Sequence, residues 1–326
     1  MNQLQLSDFG HSDLPIPKAV DGPILVIDCI PYGVLIADNK MLISYANHGF
    51  SEMTGFSASE IIGRTCSFVQ SESTDKQTRD AIRSACKNGT TFHGEILNFK
   101  KDGTAFWNEL SIEPMRNSAG QVQGFIGISR DITQRKNFEE QIKQLAFYDT
   151  LTGLANRTLF YDRLNLAMLA SNRSGHCGAI ICIDLDQFKP VNDDYGHAAG
   201  DAMLTEVATR LKHCVRGSDT VARFGGDEFV VMLSELSAVN SESLAQAIQV
   251  AEKLRAALSA DYSLTVKHNG MPDEIIRHIS TASIGVSIFQ GNQLDADQIL
   301  KRADKAMYRA KKQGGGLVCI HEENCE

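Results

Sequence analysis

A change of texture in the middle of the chain most constrains what it can fold into. Up to Thr133, apolar residues come in short alternating runs broken by turn residues. From Asp149, longer helical stretches alternate with strand-like runs, and the charged segment Gln134–Leu145 stands between the two regions. One repeating pattern cannot serve both halves. The chain therefore reads as two domains joined by a helix, and its 326 residues suit two domains at the usual ~150 residues each. The expected divisions are an N-terminal extension or cap at 1–22, a first domain at 23–133, a helix at 134–148 and a second domain at 149–326.

Composition removes several classes of function. Hydrophobic residues make up 43% and charged residues 22%, which excludes a mainly disordered or fibrous chain. No apolar run exceeds roughly five residues, far short of the ~20 that a membrane helix needs. Lys18 follows Asp8 and Asp13, so the charged start of an export signal is missing. The net charge of -8, from 32 basic and 40 acidic residues, argues against nucleic-acid and acidic-membrane partners. The eight cysteines form no CxxC pair and read as thiols of a reducing, cytoplasmic compartment.

In the first domain, Tyr32–Ala37 and Met41–Tyr45 read as strands around Asp38-Asn39. Ile96–Phe99 and Phe106–Ile112 flank Lys101-Asp102-Gly103, a hairpin signal. Val122–Ile128 is a further strand, and short helices fall within Ala46–Ile62 and Asp75–Lys87. The expectation is a small antiparallel sheet flanked by helices, an α+β domain. In the segment that follows, Phe138, Ile142 and Leu145 are spaced four then three apart. That is either the seam of a coiled-coil homodimer or one face of a helix packed on its own domain.

The second domain reads as α/β, with helices over Thr158–Ser171, Ala202–Cys214, Ser241–Ser259 and Leu294–Lys312. Its strands are expected at Ala179–Ile183, Val221–Phe224, Phe229–Leu233 and Ile279–Phe289. The wholly apolar Ala179–Ile183 run is of the buried kind and leads straight into Asp184-Leu185-Asp186. Gly225-Gly226 joins two apolar strands in a compact hairpin, where glycine permits positive φ and Asp227 and Glu228 project from the turn. If these strands are neighbours, their carboxylates converge as Mg²⁺ requires when it also holds substrate phosphates. Taken singly, the clusters equally suit a solvated hairpin tip and a helix-capping aspartate.

Five ordered motifs sharpen this reading: Asp149–Arg157, Asp184–Lys189, Asn192–His197, Gly200-Asp201 and Arg223–Phe229. With Thr281–Val286 and Ala303–Lys311, they resemble the GGDEF family of diguanylate cyclases over about 146–320. The resemblance implies a palm-like nucleotidyl-cyclase fold and condensation of two GTP into cyclic di-GMP with release of pyrophosphate. It implies that Asp184 and Asp227, assisted by the Leu185 carbonyl, ligate two Mg²⁺ (or Mn²⁺), with Glu228 at the metals or acting as base. Asn192 and Asp201 would read the guanine edge, and Lys305 and Arg309, one helical turn apart, would hold terminal phosphates. Gly225 and Gly226 would leave room for the α-phosphate. Half a site per chain makes the homodimer necessary to this chemistry, which favours the seam. Arg216 and Asp219 match the family's RxxD product-inhibition site. No Walker A sequence is present.

The first domain resembles the PAS superfamily, and within it the light-oxygen-voltage (LOV) class. The carriers are Tyr45–Asn47, Met53–Phe56, Glu60–Gln70, Asn98–Gly103, Phe106–Asn108 and Asp131–Thr133. Cys66 falls on the cysteine that forms a thioether with flavin C4a after blue-light excitation. Asn98 and Asn108 match the amides at the flavin pyrimidine edge, Gln70 a ribityl contact and Arg83 a phosphate clamp. Three positions depart from the pattern: Thr65 replaces an Asn, Ser67 an Arg that adds a second phosphate contact, and Ser129 a Gln facing the flavin. The implied cofactor is FMN or another flavin, with the signal leaving through the final strand and the linker helix. Two alternatives stand beside this reading. One is a cyclase governed by a redox or ligand signal, and the other is a non-catalytic receptor for GTP or cyclic di-GMP.

Overall fold

The fold is that of a computed structural model which describes residues 27–71, 73–266 and 274–321. The expected extension at 1–22 and Cys325 lie outside the described residues. The chain divides into two compact units between Glu139 and Glu140.

The first unit is built on five antiparallel strands: β1 (Gly33–Asp38), β2 (Ile43–Ala46), β3 (Phe92–Phe99), β4 (Ala105–Arg116) and β5 (Val122–Asp131). Their order is β2-β1-β5-β4-β3. The expected Lys101-Asp102-Gly103 hairpin joins β3 to β4, with Lys100 N–H donating to the Thr104 carbonyl at 2.8 Å. The short helices expected within Ala46–Ile62 are α1 (His48–Thr54) and α2 (Ala58–Ile61), a 3₁₀ turn follows at Cys66–Val69, and α3 spans Lys76–Asn88. Asn47 is fully buried, and its side-chain oxygen accepts from the amides of Val34 and Phe50. It caps α1 and ties it to β1.

Apolar packing in this unit splits into two small groups. One forms around Leu35, Phe50, Ile61 and Val69, the other around Ile82, Ile96, Ile112 and Phe125. Members of both line a single cavity of about 420 Å³ on the helix-covered side of the sheet. A helix of thirteen residues and a twisted sheet would ordinarily close such a gap with side chains.

Helix α4 (Thr133–Phe147) carries the chain onward and crosses the division between the units. Phe138, Ile142 and Leu145 are 61%, 66% and 66% exposed, and no residue of this helix is buried. The apolar stripe therefore does not pack on its own domain, and of the two readings of this spacing the helix face covered by its own chain is set aside.

The second unit has a sheet in the order β12-β11-β6-β8-β7, formed by β6 (Cys177–Leu185), β7 (Thr220–Gly225), β8 (Glu228–Leu233), β11 (Ala282–Gln290) and β12 (Val318–Ile320). Central β6 is buried at every position. Its odd residues Ala179, Ile181 and Ile183 enter one apolar core, and the even Ile180 and Cys182 enter the other. Both faces are thus covered, by α5 (Arg157–Ser174) and α9 (Ala296–Lys312) on one side and by α7 (His197–Cys214) and α8 (Asn240–Leu258) on the other. Both neighbours of β6 run antiparallel to it, and among the described strands of this sheet only β11 and β12 pair in parallel. The uninterrupted apolar run reflects burial on two faces rather than parallel pairing.

Helix α6 (Phe188–Tyr195) and the hairpin β9 (Tyr262–Val266) with β10 (Glu274–His278) were not expected from the sequence. The last long strand begins at Ala282 rather than Ile279, because Ser280 and Thr281 turn to bond Asp186. Among the described residues, no helix is long and apolar enough to cross a membrane.

Candidate functional sites

In the second unit, β6 and β8 are neighbours, and their register places Asp184 opposite Glu228. The carboxylates at the two strand ends therefore converge, and Asp227 stands beside them at the turn that joins β7 to β8. Gly225 and Gly226 have φ of 143° and 52°, backbone that a side chain would strain. Open space surrounds the point where either Cβ would sit, so a group can approach this backbone closely.

Asp184 is 5% exposed, yet the Lys311 ammonium lies 2.6 Å from its Oδ1. Burial raises its pKa above the usual aspartate range, Lys311 opposes that shift, and the neighbouring charge of Asp227 adds to it. A buried carboxylate that recruits a lysine from the last long helix is a site suited to a cation, with the ammonium as stand-in. Asp184, Asp227 and the Leu185 carbonyl fit a divalent ion that completes its shell with water and phosphate oxygens. Among the described residues, no group of three or more His, Cys, Asp or Glu forms a protein-only cage.

Arg223 fixes the hairpin. It bonds both oxygens of Asp149 at 3.1 Å and donates to the Gly226 carbonyl from Nε at 2.9 Å and Nη2 at 2.8 Å. Asp149 is held below its ordinary pKa: burial acts upward, but bonds from Thr152 and Arg223 outweigh it. Asp186 has a different place from its neighbour Asp184. Its carboxylate accepts from the Thr281 and Ser283 hydroxyls and the Gly316 amide, each at 2.7 Å, stitching β6 to β11 and the loop before β12. The motif spacing could not separate a stitching aspartate from a metal-facing one two residues away.

Asn192 on α6 and Asp201 on α7 come from two helices that pack together. A Cβ at Gly200 would lie 2.0 Å from Asn192 Oδ1, so this glycine makes room for the asparagine side chain. Lys305 and Arg309 are exposed on α9, and Arg309 Nη2 donates to the Ile320 carbonyl at 2.5 Å. Lys311, which the sequence reading did not single out, reaches Asp184 instead.

Arg216 and Asp219 border a cavity of about 600 Å³, where Asp219 accepts from the Arg216 amide at 2.9 Å. Ser234 and Glu235 line it too, with Gln246, Gln249 and Lys253 of α8, and the sequence carried no motif that would point to them.

In the first unit, the cavity between the two apolar groups collects the remaining predicted residues. Cys66, Gln70, Arg83, Asn98, Asn108 and Ser129 all line it. Asn98, Asn108 and Ser129 are only 2%, 3% and 3% exposed. Asn108 Nδ2 donates to Asn98 Oδ1 at 2.9 Å and to Ser129 Oγ at 3.1 Å, while its own Oδ1, fully buried, has no partner. A buried carbonyl left without a donor costs on the order of 1–3 kcal/mol, so the site calls for an N–H group from a ligand. Burial, with a smaller contribution from Cys86, pushes the Cys66 thiol up to about 11. Arg83 departs from the clamp expectation here, since its guanidinium turns outward to Asp80 at 2.8 Å. Lys40, Arg79 and Lys87 also line the cavity, and no carboxylate does. An apolar interior with a cationic border and amides at the far end suits an amphipathic ligand with one anionic end.

Comparison with protein families matches residues 146–316 to the diguanylate cyclase GGDEF domain and residues 31–134 to the PAS domain. The chain belongs to the GGDEF family, with a PAS-like antiparallel domain ahead of its cyclase domain. It is 30% identical over 300 residues to the probable diguanylate cyclase DgcE of Escherichia coli K12, covering 91% of this chain and 26% of that protein. It is 40% identical over 186 residues to MucR of Pseudomonas aeruginosa, a bifunctional diguanylate cyclase and cyclic di-GMP phosphodiesterase, covering 56% and 25%. The chain thus spans about a quarter of the length of these curated relatives. Among solved structures, the GGDEF domain of PA1120 (YfiN or TpbB) from Pseudomonas aeruginosa is 36% identical, with a TM-score of 0.46 over 53% of this chain and 99% of that one. An RNA-binding light-oxygen-voltage receptor is 39% identical, with a TM-score of 0.36 over 42% of this chain and 40% of that one.

Proposed function

We propose that this chain is a blue-light-regulated diguanylate cyclase that condenses two GTP into cyclic di-GMP and two pyrophosphates. The observation that carries the cyclase reading is the convergence of Asp184, Asp227 and Glu228 beside an open Gly225-Gly226 turn in a chain of this family. Mg²⁺ or Mn²⁺ would supply charge neutralisation at the phosphates and acidify the attacking 3′-hydroxyl. Asp184, Asp227 and the Leu185 carbonyl would hold the ion, and Glu228 would take the proton. Asn192 and Asp201 orient guanine, Lys305 and Arg309 steady the terminal phosphates, and the two glycines admit the α-phosphate. Each chain supplies half a site, and the exposed Phe138, Ile142 and Leu145 pair two chains through α4 as a homodimer. Arg216 and Asp219 bind the product as a feedback inhibitor. The protein works in the cytoplasm, without a nucleic-acid or membrane partner.

The sensor reading rests on the orphaned Asn108 carbonyl in a cavity that also presents Cys66. A bound flavin, FMN in this reading, would supply blue-light absorption and an electrophilic ring carbon. Cys66 holds its proton on sulfur until excitation, because burial keeps the thiol neutral. Asn98 and Asn108 grip the ring edge, and Gln70 lies along the ribityl chain. Ser129 on β5 stands next to Asn108 and passes the change along the strand that leads to α4.

Purified protein supplied with GTP and Mg²⁺ provides the test, with the product identified chromatographically. Cyclic di-GMP formed by the wild type, and lost in Asp184→Asn and Asp227→Asn, is the expected result. GTP bound but never converted would instead make the chain a receptor.

A further inference from the structure

Met41 has a backbone conformation that its side chain does not favour. Its φ is 65°, in the left-handed region, where a non-glycine residue stays only if its surroundings fix it. Asp38 does the fixing. Its Oδ1 accepts from the amides of Lys40 at 2.8 Å and Leu42 at 2.9 Å. Its own amide donates to the Leu42 carbonyl at 2.9 Å, and its carbonyl accepts from the Met41 amide at 3.0 Å. One aspartate thus closes the turn between β1 and β2. The turn is also tied to the segment that carries Cys66. Leu42 forms a β-bridge with Thr65, the Ile43 amide donates to the Arg64 carbonyl at 2.9 Å, and the Gly63 amide donates to the Ile43 carbonyl at 2.8 Å.

These ties bring the Met41 carbonyl to 3.9 Å from the Cys66 sulfur, whose S–H donates to it. Both residues line the cavity that holds the orphaned Asn108 carbonyl. Their side chains pack in different apolar groups, Met41 with Ile82 and Phe125, Cys66 with Leu35 and Phe50. The link between them therefore runs through the backbone of Met41. A thiol is a weak donor, so a contact of this length orients it only because the closed turn keeps the carbonyl from swinging away. We propose that the Asp38-capped turn is the positioning element of the sensor thiol, with the Met41 carbonyl holding the Cys66 S–H in one orientation. The left-handed backbone at Met41 is what aims that carbonyl. The proposal rests on the flavin reading of the cavity, in which the sulfur must meet a ring carbon. In the adduct an S–C bond replaces the S–H bond and the proton passes to the flavin ring, so the carbonyl has its donor only before illumination.

The test reads the thiol itself, in the flavin-loaded full chain. Subtracting the infrared spectrum of Cys66→Ala from that of the wild type in darkness isolates the S–H stretching band of Cys66. Asp38→Ala opens the turn and should shift this band to higher wavenumber, broaden it, and lower the yield of flavin bleaching under blue light. Asp38→Asn keeps a side-chain oxygen that can cap the same amides, and should leave both readings as in the wild type, which separates the turn from the charge. Met41→Gly takes up the same backbone without strain and should also leave the band in place. A band unmoved by Asp38→Ala, or moved as far by Met41→Gly, would overturn the assignment while flavin binding stood. A wild type that takes up no flavin, or whose S–H band survives blue light, would overturn the reading on which the assignment rests.

Discussion

Asp184 shows how one residue is asked to satisfy opposing demands. The fold buries its carboxylate, the proposed chemistry needs it ionised, and Lys311 partly reconciles the two. Its folded pKa lies above the unfolded value, so protonation favours the fold. That gain is complete below ~3.9 and is given up as pH rises through the higher folded value. Metal-free Asp184→Asn should therefore melt higher than wild type at neutral pH, with the difference shrinking on acidification. The same variant should lose cyclase activity by on the order of 10²–10³ and lose any rise in melting temperature on adding Mg²⁺. Calorimetry with and without Mg²⁺ measures both, and a variant still stabilised by Mg²⁺ would place the ion elsewhere. At Cys66, Ala substitution should preserve flavin binding and abolish light-driven bleaching of the flavin band, read by absorbance. The sequence made Asp184 and Cys66 visible because each sits inside a long motif. Lys311 was not visible, since nothing but the packing of a helix shows which of several cations on it turns inward.

At the level of elements, Arg223 connects the start of the second domain to the Gly225-Gly226 hairpin. It bridges Asp149 and the Gly226 carbonyl, and it is only 11% exposed. Arg223→Ala leaves the Asp149 carboxylate short of its partner and frees the turn, which should cost about 2 kcal/mol of stability. Arg223→Lys should regain much of that stability by pairing with Asp149 but little activity, because an ammonium cannot also fork onto the carbonyl. Urea melts beside initial rates separate the two effects, and a fully active lysine variant would show that the turn needs no such anchor. Strands and long helices were legible wherever one face or both were apolar, as in β6 and α9. Helix α6 was hidden because its sequence, Phe188–Tyr195, is mostly polar and was absorbed into a motif. The β9–β10 hairpin was hidden for another reason: β9 alternates over only five residues, Tyr262–Val266, and in β10 the adjacent Ile275 and Ile276 break the alternation, with Ile275 66% exposed.

Across the whole molecule, the account depends on two chains meeting. Helix α4 leaves three large apolar side chains in solvent, and each domain holds one set of carboxylates. Replacing Ile142 and Leu145 by Ser should shift the protein toward monomer by sedimentation and make the rate per chain rise with protein concentration. A monomer of undiminished, concentration-independent rate would remove the two-chain mechanism. The two-domain plan and the family were readable from the change of texture and the ordered motifs. What the sequence could not give was the interior of the sensor cavity, which exists only where two small cores fail to meet. The central claim is that light absorbed in that cavity governs chemistry at the Gly225-Gly226 hairpin. Its most direct test is the conversion of GTP to cyclic di-GMP by the purified full chain with Mg²⁺, in darkness and under blue light. The account predicts product in at least one condition and a rate that changes on illumination, with Cys66→Ala insensitive to light. Equal rates in the dark and under blue light from a flavin-loaded protein would contradict it.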